Sequence, residues 1–169
     1  SSGAGTHAPR PAMIDCDACL EGQFQSRGGK SECLACAEGQ NQPQAGQDTC
    51  IGCASGKHAP LPGMVECFNC SGGTYAAALG AAECSGCVAG MFQSDEGRPA
   101  CDACPTAFFG PNGAALACLP CADGRYQDAV GKTQCLGCAQ TTFFDAAAGA
   151  CRDCPSGHFS AYAGRSVCT

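Results

Sequence analysis

Cysteine is the residue type most able to do chemistry in this sequence, because it occupies 19 of 169 positions. Thiols in Cys-x-x-Cys pairs can bind a metal, exchange disulfides or form structural cross-links. Successive pairs lie 17 residues apart, with one step of 16. Any chemical role assigned to one cysteine pair must therefore apply to the other pairs of the series as well. The pairs begin at Cys16, Cys33, Cys50, Cys67, Cys84, Cys101, Cys118, Cys135, Cys151 and Cys168.

Two neighbouring pairs have the spacing of a zinc ribbon, in which four thiolates bind one ion. A zinc module would repeat as sets of four ligands with variable linkers, whereas every interval here is equivalent. Zinc binding is therefore the second alternative for this array. Redox catalysis requires a thiolate with a lowered pKa beside a base or a helix N-terminus. Neither is evident, so we expect no enzyme activity, no catalytic or metal-ligating residue and no cofactor.

Histidines and carboxylates are the other candidate ligands. The three histidines, His7, His58 and His158, are too far apart along a repeat array to converge on one metal, and we interpret them as variants of an aromatic position. A calcium site needs several converging oxygens, but each repeat offers one or two acids. Weak calcium bridging between repeats stays a hypothesis, and a solvated acidic edge is the simpler interpretation. The acids are Asp15, Glu32, Glu66 and Glu83 before pairs, and Asp17 and Asp102 inside them.

The elements that position the cysteines must be short. The chain has no Trp but 24 Gly and 10 Pro, which favour turns over long helices or strands. With so few large apolar residues, covalent staples must replace much of a core. The net charge of −6 gives no basic patch for nucleic acid. No apolar run approaches the roughly 20 residues of a membrane span.

Between cysteine pairs a second pattern recurs. The second cysteine of each pair begins Cys-x-x-Gly-x-aromatic, and another Gly follows ten residues after that cysteine. Glycines at both ends of a loop permit positive φ in tight turns. We therefore predict small disulfide-rich repeats, an elongated array of short irregular β-hairpins with almost no helix. Ala107 and Thr141 replace the first Gly, while Asn41 and His58 replace the aromatic. The repeat aromatics are Phe24, Tyr75, Phe92, Phe109, Tyr126, Phe143 and Phe159.

The period also predicts the repeat boundaries. Residues 5–16 closely match 56–67, and Cys168-Thr169 begins a pair, so we expect the array to continue beyond both ends. The first repeat, 1–18, is incomplete, and the last, 154–169, is cut after Cys168. The others span 19–35, 36–52, 53–69, 70–86, 87–103, 104–120, 121–137 and 138–153, the last of these with a one-residue deletion.

Two disulfide pairings fit the cysteine series. Bonding inside each Cys-x-x-Cys leaves Cys168 over, while bonding across each loop leaves Cys16, whose partner would stand at Ser2. Loop pairing is preferred because Cys-x-x-Cys disulfides are characteristic of exchange-active sites. It predicts Cys19–Cys33, Cys36–Cys50, Cys53–Cys67, Cys70–Cys84, Cys87–Cys101, Cys104–Cys118, Cys121–Cys135, Cys138–Cys151 and Cys154–Cys168.

The series of Cys-x-x-Gly-x-aromatic, Gly-containing turn and Cys-x-x-Cys resembles the ephrin-receptor-type cysteine-rich repeat. That repeat is akin to the first half-module of TNF-receptor domains and to EGF-like modules. The resemblance implies an extracellular location, the loop pairing, and service as a stalk, adhesion or ligand-binding ectodomain. The interlaced second half-module of TNF receptors is missing. Long uniform arrays of this kind are similar to those of large surface proteins of algae and protists, including mastigoneme proteins.

These observations lead to a functional expectation. The first hypothesis is a structural component of an extracellular filament, appendage or cell-surface matrix, a disulfide-stapled rod whose partners are other copies or other matrix proteins. The alternative is a receptor or adhesin ectodomain that binds a protein or glycan. Its ligand patch would break the repeat symmetry, as residues 108–113 and 140–144 do. Asn69, in Asn69-Cys70-Ser71, is a candidate N-glycosylation site.

Overall fold

The computed structural model describes residues 3–8, 16–145, 147–160, 164 and 167–169. Within these residues there are eighteen strands and no helix, and each odd-numbered strand pairs with the strand after it. The predicted fold class of short hairpins is thus confirmed. Strands β1 to β18 are Thr6–His7, Asp17–Ala18, Gln23–Phe24, Leu34–Ala35, Gln40–Asn41, Ile51–Gly52, Lys57–His58, Phe68–Asn69, Thr74–Tyr75, Ser85–Gly86, Met91–Phe92, Asp102–Ala103, Phe108–Phe109, Leu119–Pro120, Arg125–Tyr126, Leu136–Gly137, Thr142–Asp145 and Ala150–Asp153.

The backbone divides into two compact units. The first is Ser1–Ser85 with Asp95–Ala100, and the second is Gly86–Ser94 with Cys101–Thr169. Both are built from the same hairpin, which in the 19–35 repeat pairs β3 with β4 in antiparallel register. An isolated hairpin of two such short strands is at best marginally stable in water. Each hairpin therefore depends on its disulfide and on neighbouring repeats.

Backbone hydrogen bonds join successive repeats in the first unit. The amide of Gly22 donates to the carbonyl of Gln42 at 2.7 Å, and that of Gln25 donates to Gln47 at 3.2 Å. A third bond has its donor in the later repeat: the Gly46 amide donates to the carbonyl of Cys19 at 2.7 Å. Equivalent bonds join the 36–52 repeat to the 53–69 repeat, and the 53–69 repeat to the 70–86 repeat. Stacking of repeats thus satisfies backbone groups that a short hairpin leaves unpaired.

The second unit repeats this scheme. Gly90 donates to Gly110 at 2.8 Å, and Gln93 donates to Ala115 at 3.0 Å. The Ala114 amide donates back to Cys87 at 2.7 Å. Ala114 takes the place of the later Gly and still has a φ of 54°, while Ala107 and Thr141 keep φ values of 66° and 70° at the first Gly position. The stacking geometry therefore imposes a left-handed backbone even where a side chain makes it costly.

Close backbone approach adds a second reason for the first Gly of the repeat. Gly22 has a φ of +76°, and a Cβ placed on it would overlap the carbonyl oxygen of Gly63. Gly63 belongs to the 53–69 repeat, two repeats further along the chain. A Cβ would overlap a carbonyl oxygen in the same way at three other positions: at Gly5 with Gly46, at Gly39 with Gly80, and at Gly56 with Gly97. Close backbone packing therefore extends beyond immediately neighbouring repeats.

The core consists largely of the disulfides themselves. Six cysteines are the largest side chains with less than 2% exposure, whereas many larger apolar side chains stay exposed. This distribution agrees with the prediction that covalent staples replace a continuous core. The six are Cys19, Cys36, Cys53, Cys70, Cys104 and Cys138.

The one-residue deletion changes the hairpin of the 138–153 repeat. Here β17 and β18 are four residues long instead of two, and Phe144 pairs with Cys151. Asp145 Oδ1 accepts hydrogen bonds from the amides of Ala147 and Ala148, and its carboxylate lies 2.9 Å from Arg152 Nε. The two strands of this hairpin therefore pair over more residues than those of the other repeats, and Asp145 links them to the turn that contains Ala147 and Ala148.

Candidate functional site

Most of the disulfides join one buried and one half-buried cysteine. Cys19 is fully buried while Cys33 is half-buried, and the same holds for Cys70 and Cys84. The structure forms the nine bonds that loop pairing predicts, each closing across a hairpin rather than within a Cys-x-x-Cys pair: Cys19–Cys33, Cys36–Cys50, Cys53–Cys67, Cys70–Cys84, Cys87–Cys101, Cys104–Cys118, Cys121–Cys135, Cys138–Cys151 and Cys154–Cys168.

Cys16 is the free cysteine among the described residues and is half-buried. Ser2, which stands where its partner would be, lies outside the described residues. The thiolates that a zinc module would use as ligands are held in disulfides. The zinc alternative consequently has no set of four free thiols in the described part of the chain.

Where a histidine occupies the aromatic position of a repeat, it faces the disulfide of the next repeat. His58 Nδ1 lies 3.2 Å from Cys84 Sγ, and His7 Nδ1 lies 3.3 Å from Cys33 Sγ. In each case the histidine nitrogen and both sulfurs of the disulfide lie within 4.8 Å of one another. His7 and His58 thus occupy the aromatic position, as predicted, and each contacts a disulfide.

Asn41 occupies this position in the 36–52 repeat, which directly precedes the repeat of His58. Its Oδ1 lies 3.3 Å from Cys67 Sγ, and its Nδ2 donates to the carbonyl of Val65 at 2.9 Å. The aromatic residues themselves are half-buried, except Phe159, which is exposed. Tyr126 stacks on Phe144 with ring centroids 6.4 Å apart.

Buried glutamines are structural residues that the sequence pattern did not identify. Gln42 Nε2 donates to the carbonyl of Thr49 at 2.7 Å, and its Oε1 accepts from the Gln44 amide at 3.1 Å. Gln25 and Gln127 make the same two bonds in their own loops. This side chain therefore closes the loop between the two strands of a hairpin. The available signal was a Gln directly after the aromatic position in Phe24-Gln25, Asn41-Gln42, Phe92-Gln93 and Tyr126-Gln127.

The carboxylates named as calcium candidates are exposed wherever they are described, while Asp15 lies outside the described residues. Asn69 is exposed in β8, and its Oδ1 would lie 3.2 Å from a Cβ on Gly97, so its side chain packs beside the turn of a following repeat. Cys70, the middle residue of the sequon, is fully buried and bridged. The interpretation of His158 as a variant of the aromatic position is wrong, because Phe159 occupies that position and its backbone exchanges hydrogen bonds with Thr169. His158 itself is exposed beside a cavity of about 300 Å³ that Phe143 also lines.

A cleft in the second unit includes Phe109, a repeat aromatic within the 108–113 segment that departs from the repeat pattern. Phe109, from the 104–120 repeat, contributes to a cavity of about 530 Å³. Arg125 reaches the same cavity, and its guanidinium lies 3.5 Å from the carbonyl oxygen of Cys135. The cleft thus combines apolar walls with one cationic group. Its other lining residues are Leu119, Pro120, Ala122, Gln134 and Cys135.

Comparison with protein families matches the family described as tyrosine-protein kinase ephrin type A/B receptor-like over residues 5–48, 73–117 and 112–150. These matches cover more than half of the chain. The chain belongs to this family. Its cysteine-rich repeats are therefore of the ephrin-receptor type, as the resemblance predicted. A search of curated proteins found no match to the chain. Among the described residues there is no helix long and apolar enough to cross a membrane.

Proposed function

We propose that this chain is a structural component of an extracellular filament, appendage or cell-surface matrix, in which disulfide-stapled repeats mediate assembly. The observation that carries the proposal is repeat stacking, because the same interrepeat hydrogen bonds recur within each unit. Nine disulfides require an oxidising compartment to persist, which supports an extracellular location. Repetition of one unit gives a scaffold rather than a single reactive centre.

Exposed apolar side chains offer a way for copies to associate. Leu34, Ile51 and Phe68 follow the first cysteine of three successive pairs and are 53%, 53% and 49% exposed. Each lies on the second strand of its hairpin. About half of each residue is already covered, so burying the rest against another copy would contribute about 1 kcal/mol for each one. These three residues form the proposed association positions.

The test replaces all three association positions with serine, as L34S/I51S/F68S. Ser85 already stands at the equivalent position of the next repeat, so the hairpin accepts this side chain. We expect the unmodified chain to form concentration-dependent assemblies in sedimentation velocity and filaments in electron micrographs. The triple variant should stay monomeric at the same concentrations.

The matched control is L61S/L79S, which removes two other exposed leucines of the first unit, 62% and 77% exposed. Assembly of this control should be unchanged. The assembly proposal is wrong if the unmodified chain is monomeric at all concentrations, or if both variants weaken association equally.

Ligand binding by an ectodomain is the second candidate, and the cleft at Phe109 and Arg125 is the observation that favours it. An aromatic ring beside a guanidinium suits an acidic sugar, since the ring packs on the apolar sugar face and the cation pairs with the carboxylate.

We expect F109A and R125A each to weaken binding of immobilised uronic-acid oligosaccharides at least about tenfold, a loss of about 1.4 kcal/mol. K57A is the matched control, because Lys57 occupies the position of Arg125 in the 53–69 repeat. Absence of binding by the unmodified chain, or an equal loss in K57A, would rule out this ligand class.

A further inference from the structure

Two of the nine disulfides have a histidine against them. The Cys70–Cys84 bond lies beside His58, and the Cys19–Cys33 bond lies beside His7. The two sites share the same contact although they are separated by three repeats. In both, the ring nitrogen and the two sulfurs lie within 4.8 Å of one another.

Burial decides which sulfur an external thiol can reach. Cys84 is half-buried, whereas Cys70 is 0% exposed. A thiol arriving from solvent therefore attacks Cys84 Sγ with its sulfur, and the S–S bond breaks towards Cys70. The expelled Cys70 thiolate is formed away from water, where an unpaired charge is strongly disfavoured. Exchange at a disulfide of this type depends on a group that neutralises the buried sulfur.

We infer that His58 and His7 make the Cys70–Cys84 and Cys19–Cys33 disulfides the array's sites of thiol–disulfide exchange, by protonating the buried leaving sulfur. The co-reactant is a low-molecular-mass thiol, RSH. The imidazole, whose Nδ1 lies 3.2 Å from the attacked Cys84 Sγ, takes the proton of RSH as the thiol sulfur bonds to Cys84 Sγ. The S–S electron pair passes to Cys70 Sγ, which lies within 4.8 Å of a ring nitrogen, and the imidazolium gives that sulfur the proton. The products are RS–S–Cys84 and a Cys70 thiol, so no oxidant is consumed.

The chain contains its own comparison at the Cys53–Cys67 disulfide. Cys53 is 1% exposed and Cys67 is half-buried, which matches the burial of the two histidine sites. Asn41 contacts Cys67 where a histidine stands in the other two repeats. Its amide has no proton to give at neutral pH. Exchange at Cys53–Cys67 should consequently be slow.

The experiment treats the C16S chain with reduced glutathione at neutral pH, so that Cys16 contributes no thiol of its own. Samples are quenched with acid and alkylated, and peptide mass spectrometry then measures glutathione on Cys84, Cys33 and Cys67 over time. We expect Cys84 and Cys33 to be modified at least about tenfold faster than Cys67. A positioned acid or base typically accelerates a reaction about a hundredfold or more, so a tenfold difference in rate is a conservative threshold. H58N should slow Cys84 to the rate of Cys67, and N41H should raise the rate at Cys67.

Both substitutions place residues that the fold already uses at this position, and intact mass before glutathione confirms that all nine bonds have formed. Equal rates at the three sites would overturn the inference. Unchanged rates in H58N, or an unchanged rate at Cys67 in N41H, would also overturn it, because burial alone would then control exchange. The result is independent of assembly, which is measured separately by sedimentation.

Discussion

At the scale of single residues, glycine and cysteine have different tasks. Cysteine supplies cross-links and most of the fully buried volume, while the first Gly of several repeats, such as Gly22, permits both a left-handed turn and close backbone contact. Only the first of these two reasons for glycine could be inferred from the sequence. Contact between Gly22 and Gly63 depends on how the repeats stack, so the spacing of residues along the chain does not predict it.

Replacing Gly22 with alanine tests this contact. Its new Cβ would overlap backbone atoms of Gly63, which cannot move aside as a flexible side chain would. We expect a loss of about 3 kcal/mol or more, combining overpacking with the cost of a left-handed alanine. Thermal unfolding and amide hydrogen exchange of residues 19–35 and 53–69 would measure it.

Gly29→Ala is the matched control, because Gly29 has the same φ of +76° and a Cβ added there would meet no atom within 4 Å. It should cost only the conformational term of about 1–2 kcal/mol. Equal destabilisation by the two substitutions would show that close packing against Gly63 contributes nothing.

At the scale of the hairpin, short strands are held by side chains as well as by the disulfide. In the 36–52 repeat, β5 and β6 pair over only two residues each. The side chain of Gln42 closes the loop between them, because it accepts from the Gln44 amide at one end and donates to the Thr49 carbonyl at the other. The sequence predicted the hairpin, but it did not predict that this glutamine would be buried.

Gln42→Ala should loosen its own loop specifically. Its removal leaves the Thr49 carbonyl and the Gln44 amide without their partners, at an expected cost of about 1–3 kcal/mol. Amide hydrogen exchange of residues 43–49 should accelerate accordingly. Ala59 and Ala76 occupy this position in other repeats, so the variant is expected to fold.

The control is Gln44→Ala, which removes an exposed side chain whose contact with Gln47 spans 3.4 Å. Exchange in residues 43–49 should change little there. If Gln42→Ala also leaves exchange unchanged, the disulfide alone determines the stability of the loop.

At the scale of the whole molecule, exposed apolar residues and the symmetry of the repeats support assembly, and departures from symmetry support binding. Leu34, Ile51 and Phe68 recur at one register position, whereas the cleft at Phe109 and Arg125 occurs where the pattern changes. The assembly and cleft experiments therefore address different parts of the chain. Either result can be obtained without the other.

The sequence by itself determined the repeat, the family resemblance and the hairpin class, because cysteine spacing and glycine position are local and periodic. It left two disulfide pairings open, and it did not show that the histidines contact disulfides. Tertiary structure decided both, since His58 and Cys84 are brought together by the packing of one repeat on the next. It also revealed that Gly22 meets Gly63, a contact between residues too distant along the chain for a local pattern to predict.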